Sequence, residues 1–164
     1  MQKQWMLAVL AVLLAGPAAA ADKHNAMQAL QCRQQAQCVY FADVYAADRG
    51  FRNAVQSAFR GSGGKAPAWV SNGVSTPLIP LKAGREDYLR GWVCEPHNCP
   101  HQLLVLYAPK RQQLVARYTR ADGSVQWLGR PTPRQQALLQ DETDAASPLN
   151  GKLGDSTPLP LVLP

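Results

Sequence analysis

Between Thr76 and Leu128 apolar residues alternate along short runs whose connections are only a few residues long. No other feature constrains the fold as much. Parallel neighbours need a crossover of a dozen or more residues, whereas antiparallel neighbours can join through a tight turn. Five strands are expected, at residues 76–82, 85–94, 101–108, 112–120 and 124–128. Pro77 and Pro80 restrict the first to a sheet edge, because proline cannot donate to a ladder. In the second, Tyr88, Arg90 and Trp92 share one face and Leu89, Gly91 and Val93 the other. The third is apolar nearly throughout, as a central strand covered on both faces should be. Leu114, Ala116 and Tyr118 alternate in the fourth, and Asp122-Gly123 is a hairpin signal before the fifth. The pattern is an antiparallel meander.

Helical spacing flanks it. Phe41, Val44, Tyr45, Phe51, Val55, Ala58 and Phe59 recur at three- and four-residue steps, as one apolar helix face requires. Gly50 in the middle suggests two short helices, and Gly61-Ser62-Gly63-Gly64 ends the pattern. Thr132-Pro133 opens another helix, with Thr132 as N-cap and Pro133 in the first position, running to about Glu142. The expected class is α+β, a central five-stranded antiparallel sheet flanked by helices. The divisions are 1–21, 22–42 (a polar, glutamine-rich extension), 43–146 (the main folded domain) and 147–164. The last is a Pro/Leu-rich tail, either a strap over the core or loose.

Residues 1–21 read as an export leader. Lys3 precedes an apolar run from Trp5 to Leu14, and a small-residue stretch with Ala19-x-Ala21 spacing follows. The run is shorter than the roughly twenty residues that a membrane helix needs. The expected location is periplasmic, with no membrane association after cleavage. The chain carries a formal charge of +6, of which only Lys3 lies in the leader. Its basic residues, Arg49, Lys82, Arg90, Arg111, Arg117 and Arg130 among them, are scattered and read as a solvated surface. With export, that excludes a nucleic-acid partner.

Four cysteines in an exported chain read as disulfides, and three pairings are open. Local pairing, Cys32–Cys38 and Cys94–Cys99, is preferred, because a tight loop brings Cα atoms as close as a disulfide demands. Cys94-Glu95-Pro96-His97-Asn98-Cys99 would then be a closed ring joining two strands. Pro96 fixes a torsion and His97 sits at the apex of a stiff, protruding loop.

That hexapeptide resembles the Cys-Lys-Pro-His-Asp-Cys loop of the Ivy family, inhibitors of vertebrate lysozyme found in bacterial periplasms. Lys65-Ala66-Pro67-Ala68-Trp69-Val70 resembles the family's Lys-x-Pro-Ala-Trp-Val segment, and Trp127-Leu128 falls where the family has Trp-Leu ending a strand. The resemblance spans roughly residues 43–140. It implies a non-enzymatic inhibitor, without cofactor or metal. Its loop, Cys94 to Cys99, enters the cleft of a C-type lysozyme, and His97 bonds the catalytic carboxyl groups. Glu95 stands where the pattern has lysine, Asn98 where it has an acid, and Pro100 where it has glycine. Glu95 thereby brings a negative charge toward the partner's carboxylates.

The same loop allows other readings. The target could be the cell's own lytic transglycosylases, which cleave the same bond. Cys94, His97, Cys99 and His101 are four potential metal ligands within eight residues, although oxidation would spend the thiols. A redox-active pair would call for Cys-x-x-Cys beside a helix N-terminus, which is absent. Trp69, Trp92, Trp127, Tyr88 and Tyr118 read as packing, and His24 and His101 as surface histidines. No nucleophile-and-base constellation is present, so the chain is read as no enzyme. A homodimer stays open.

Overall fold

The computed structural model describes residues 24–163; the expected leader lies outside them. The helices are α1 (Ala26–Ala29), α2 (Phe41–Ala47), α3 (Arg49–Arg60) and α4 (Pro133–Leu138). The strands are β1 (Val74–Ser75), β2 (Ile79–Ala83), β3 (Glu86–Glu95), β4 (Asn98–Ala108), β5 (Gln113–Thr119), β6 (Val125–Leu128) and β7 (Leu161–Leu163).

The mixed α+β class holds, but the sheet has seven strands rather than five. Its order is β6-β5-β4-β3-β2-β7, with β1 pairing the end of β3 beside β2. β2 to β6 form the antiparallel meander. β2 is not the edge: β7 pairs with it in parallel, Leu81 opposite Leu161 through Ala83 opposite Leu163. Pro80 is tolerated because it precedes the first of these pairs, so no ladder bond on that side requires its missing N–H.

The helical run 41–60 breaks at Asp48 rather than at Gly50, which lies inside α3. Asp48 leaves helical geometry (φ −92°, ψ 107°) and caps α3 by accepting from the Phe51 amide at 2.9 Å. Its other carboxylate oxygen accepts from the Ala26 amide at 2.8 Å, which ties α1 to the same corner. An aspartate N-cap satisfies a donor that the first turn of a helix leaves open, so the capping residue set the boundary. Thr132 and Gln135 form a reciprocal capping box at α4. That helix stops at Leu138, one turn short of the expected end.

Both faces of the sheet are covered, which accounts for the unbroken apolar run of β4. Leu103, Val105 and Tyr107 face α2 and α3 with Leu89 and Val93. There Phe51 meets Tyr107 edge-on at 5.1 Å and Phe41 at 5.2 Å. Leu104, Leu106 and Val115 face the other way and are covered by Leu138, Leu139, Leu149, Leu159 and Leu163. The tail is therefore a strap that closes a second core.

Arg90 is not part of the solvated surface. It is 2 % exposed and donates to the Leu138 carbonyl at 2.9 Å, the Gln140 carbonyl at 2.9 Å and the Glu142 carboxylate at 2.7 Å. A buried guanidinium persists only when its donors are used, and here they hold the end of α4 against the sheet. Trp127, expected to pack, is 37 % exposed on edge strand β6. Among the described residues no helix is long and apolar enough to cross a membrane.

Candidate functional site

The β3–β4 hairpin ends in a two-residue turn. Glu95 pairs with Asn98, leaving Pro96 and His97 exposed at the tip. Pro96 supplies the fixed torsion that suits the first central position of such a turn. His97 takes the second in the left-handed region, at φ 64°. That position favours glycine or asparagine, so a histidine there is held by its surroundings at some conformational cost.

Two covalent bridges join the near-neighbour cysteines, Cys32–Cys38 and Cys94–Cys99. The second closes the turn into a ring, with Cys94 buried and Cys99 exposed. Both loop thiols are thus consumed, which removes the thiolate ligands from the metal reading. No group of three or more His, Cys, Asp or Glu side chains among the described residues is arranged to hold a metal.

Below the ring the ladder breaks. Cys94 lies opposite Gln102, yet Glu95 lies opposite Asn98, so Cys99, Pro100 and His101 bulge from β4 without partners on β3. Glu95 turns back into this gap. Its carboxylate accepts from Asn98 Nδ2 at 2.7 Å and lies 3.0 Å from His101 Nδ1. The other ring nitrogen of His101, Nε2, lies 2.7 Å from the Tyr118 hydroxyl on β5. A carboxylate only accepts, so Nδ1–H donates to Glu95, and in the neutral ring Nε2 accepts from Tyr118. The His101 bond first, and the Asn98 bond second, hold the Glu95 carboxyl below the usual carboxylate range. Burial pushes the Tyr118 phenol up, and Glu95 adds to it while Arg120 opposes.

His101 is therefore no stray surface histidine. Its ring meets Trp69 edge-on at 4.9 Å and lies 5.5 Å from the Tyr118 ring. Trp69, 8 % exposed, comes from the short 3-10 turn after Pro67. The Pro-Ala-Trp segment thus packs against His101, the residue that meets Glu95 of the Cys-Glu-Pro-His-Asn-Cys ring. Gly73 follows within the same corner, where β1 runs along Cys94. A Cβ on Gly73 would overlap the Cys94 carbonyl, so only glycine allows that approach. His101 and Tyr118 escaped the sequence reading as loop supports. The bulge that brings His101 level with Glu95 leaves no periodic trace.

The site offers an exposed imidazole on a ring-closed turn, with the nearest acid turned away from the tip. A polar groove of about 680 Å³ lies at the far end of the sheet, near Asn53, Glu86, Tyr88 and Arg111, and shares no residue with the loop.

Comparison with known proteins gives three matches. The family model described as inhibitor of vertebrate lysozyme (Ivy) matches residues 55–146. An uncharacterised protein of Pseudomonas aeruginosa is 27% identical over 118 residues, covering 63% of this chain and 76% of that protein. An uncharacterised protein of Yersinia pestis is 31% identical over 88 residues, covering 44% of this chain and 57% of that one.

Proposed function

Because the chain belongs to the Ivy family, inhibitors of vertebrate lysozyme rather than enzymes, we propose that it inhibits a C-type lysozyme from the periplasm by inserting the Cys94–Cys99 loop into the active-site cleft. On this reading residues 1–21 are the export leader and 43–146 the inhibitory domain. The observation that carries the reading is His97, exposed at the tip of a disulfide-closed turn.

The chemistry suits the target. Retaining glycosidases place two carboxyl groups about 5 Å apart, and one is kept protonated by a raised pKa. An imidazole carries nitrogens on two sides of a small ring and can engage both groups at once. Bonds to a charged partner in a water-free cleft exceed neutral ones. A loop closed by its own disulfide loses little freedom on entry, so less of the contact energy is offset. The Glu95 carboxylate is turned back toward Asn98 and His101, which lessens its repulsion of the partner's carboxylates without removing its charge.

The deciding experiment is inhibition of a vertebrate C-type lysozyme by the purified protein, with His97→Ala beside it. The wild type should inhibit. The variant should lose about 2–4 kcal/mol of binding, the range of an interface hot spot, with its melting temperature unchanged. An inhibitory wild type with an equally potent His97→Ala would refute the loop mechanism. No inhibition by the wild type would move the target to lytic transglycosylases, tested by the same pair.

A further inference from the structure

The disulfide closes the loop but does not aim it. Antiparallel strands are held in register by ladder hydrogen bonds, and at this hairpin the ladder is interrupted just where the ring begins. Three residues of β4, Cys99, Pro100 and His101, have no partner on β3, and Pro100 has no N–H to offer. A ring attached through an unpaired bulge is free to rock about the strand ends.

Side chains occupy that gap. Asn98 and Glu95 belong to the last pair of the tip, His101 to the bulge and Tyr118 to the next strand. Contacts of 2.7, 3.0 and 2.7 Å run through them in sequence. Trp69 closes the remaining side of the imidazole at 4.9 Å. Three adjacent strands are thus joined by side chains where the backbone bonds stop.

We infer that Glu95, His101 and Tyr118 are positioning residues that fix the direction of the inhibitory loop, replacing the missing ladder. The inference rests on the loop reading above for its consequence, although loop order itself can be measured without any target. It also assigns a use to Glu95: the acid at the base of the tip is the acceptor on which the relay is built. Such a chain should behave as a unit, since removing its middle member frees both ends.

The test uses His101→Phe, which keeps an aromatic ring beside Trp69 and removes both nitrogens, together with Glu95→Ala and the double variant. The readout in the free protein is the backbone order parameter of His97 and Asn98 by ¹⁵N relaxation. In the wild type it should sit near 0.85, typical of rigid backbone, and either variant should bring it toward 0.6. The double variant should be no looser than the singles, as for two members of one network. Against lysozyme, each variant should dissociate about tenfold faster with little change in association, because most effects of altered contacts fall on the off-rate. Tyr118→Phe, the smallest change, should reproduce part of the effect.

Unchanged order parameters in a folded His101→Phe would overturn the inference whether or not lysozyme is the target. Strictly additive loosening in the double variant would overturn it as well. If the wild type inhibits no lysozyme while the order parameters fall as expected, the positioning role stands and the target assignment alone fails. Should His101→Phe not fold, Tyr118→Phe and Glu95→Ala carry the same readout.

Discussion

Replacing Arg90 with methionine separates two accounts of how the second face of the sheet is closed. Methionine keeps an unbranched stem of similar reach and removes every donor. The guanidinium serves three acceptors, and these differ in what they lose. The Leu138 carbonyl has Arg90 at 2.9 Å in a buried setting, and stranding such a group costs about 1–3 kcal/mol. The Gln140 carbonyl, at 2.9 Å, is partly accessible and should lose about 1 kcal/mol or less. The Glu142 carboxylate is 38% exposed, so it returns to water. Relief from burying the guanidinium offsets part of the loss. The net expectation is about 2–3 kcal/mol, or a melting temperature lower by roughly 6–12 °C for a domain of this size. Thermal and urea unfolding followed by circular dichroism measure it. Glu142→Gln removes the charge but keeps a side-chain oxygen to accept from Arg90, and should cost about 1 kcal/mol, less than Arg90→Met. Inhibition by Arg90→Met should be unchanged below its melting range, because Arg90 anchors α4 and not the loop. An Arg90→Met protein as stable as the wild type would refute the reasoning. So would a Glu142→Gln loss equal to that of Arg90→Met, since the ion pair would then be the anchor rather than the two carbonyls.

Gly73→Ala places a Cβ against the Cys94 carbonyl, where the nearest atoms are backbone and cannot swing aside. It should destabilise by about 2–4 kcal/mol, a range set by core overpacking, and weaken inhibition as well, read from a melt and an inhibition curve on one sample. In acid, the lowered pKa of Glu95 means that its folded-state contribution is present above the unfolded carboxylate value, about 4.3, and is lost as pH falls through the folded value. Loop order measured between pH 6 and 3 should therefore fall only at the acid end, and loosening already near pH 6 would contradict the assignment to Glu95. In alkali, burial first and Asp48 second push Tyr107 up to about 12. The folded state then holds its phenolic proton more tightly than the unfolded chain, so stability is lost as pH rises from about 10 toward 12. Ultraviolet titration should show two late phenols, Tyr107 and Tyr118. Tyr107→Phe should remove the step near 12, and that step surviving in the variant would refute the assignment.

Much of this molecule was legible because it depends on neighbours in the chain. Alternation of apolar residues and the short connections placed β3, β4, β5 and β6, and Asp122-Gly123 located their last turn. Thr132-Pro133 opened a helix where the structure has one. The spacing of the cysteines favoured the local pairs that the structure contains. The Pro-His dipeptide between Cys94 and Cys99 marked the tip of a hairpin. Each is a short-range signal, carried by torsions and turn chemistry that act over a few residues.

The errors share one physical cause, which is pairing between residues far apart in sequence. The apolar run of β4 announced that both faces are covered but not by what. The cover proved to be α4 and the tail, with Leu163 brought opposite Ala83. That pairing made β2 an interior strand and added a sixth strand, and β1, paired with the end of β3, is the seventh. Arg90 looked like any other surface cation until α4 ended over it and its carbonyls needed donors. The break at Asp48 is the exception, a local one: its side chain caps α3, whereas the sequence pattern suggests a break at Gly50. At the loop, the sequence by itself determined that a stiff ring would present a histidine, since proline and a disulfide act locally. Tertiary structure alone decided which way Glu95 points. Its partners, His101 on the bulge of β4 and Tyr118 on β5, meet it only once three strands lie side by side, because hydrogen bonds form between atoms about 3 Å apart whatever their separation in the chain.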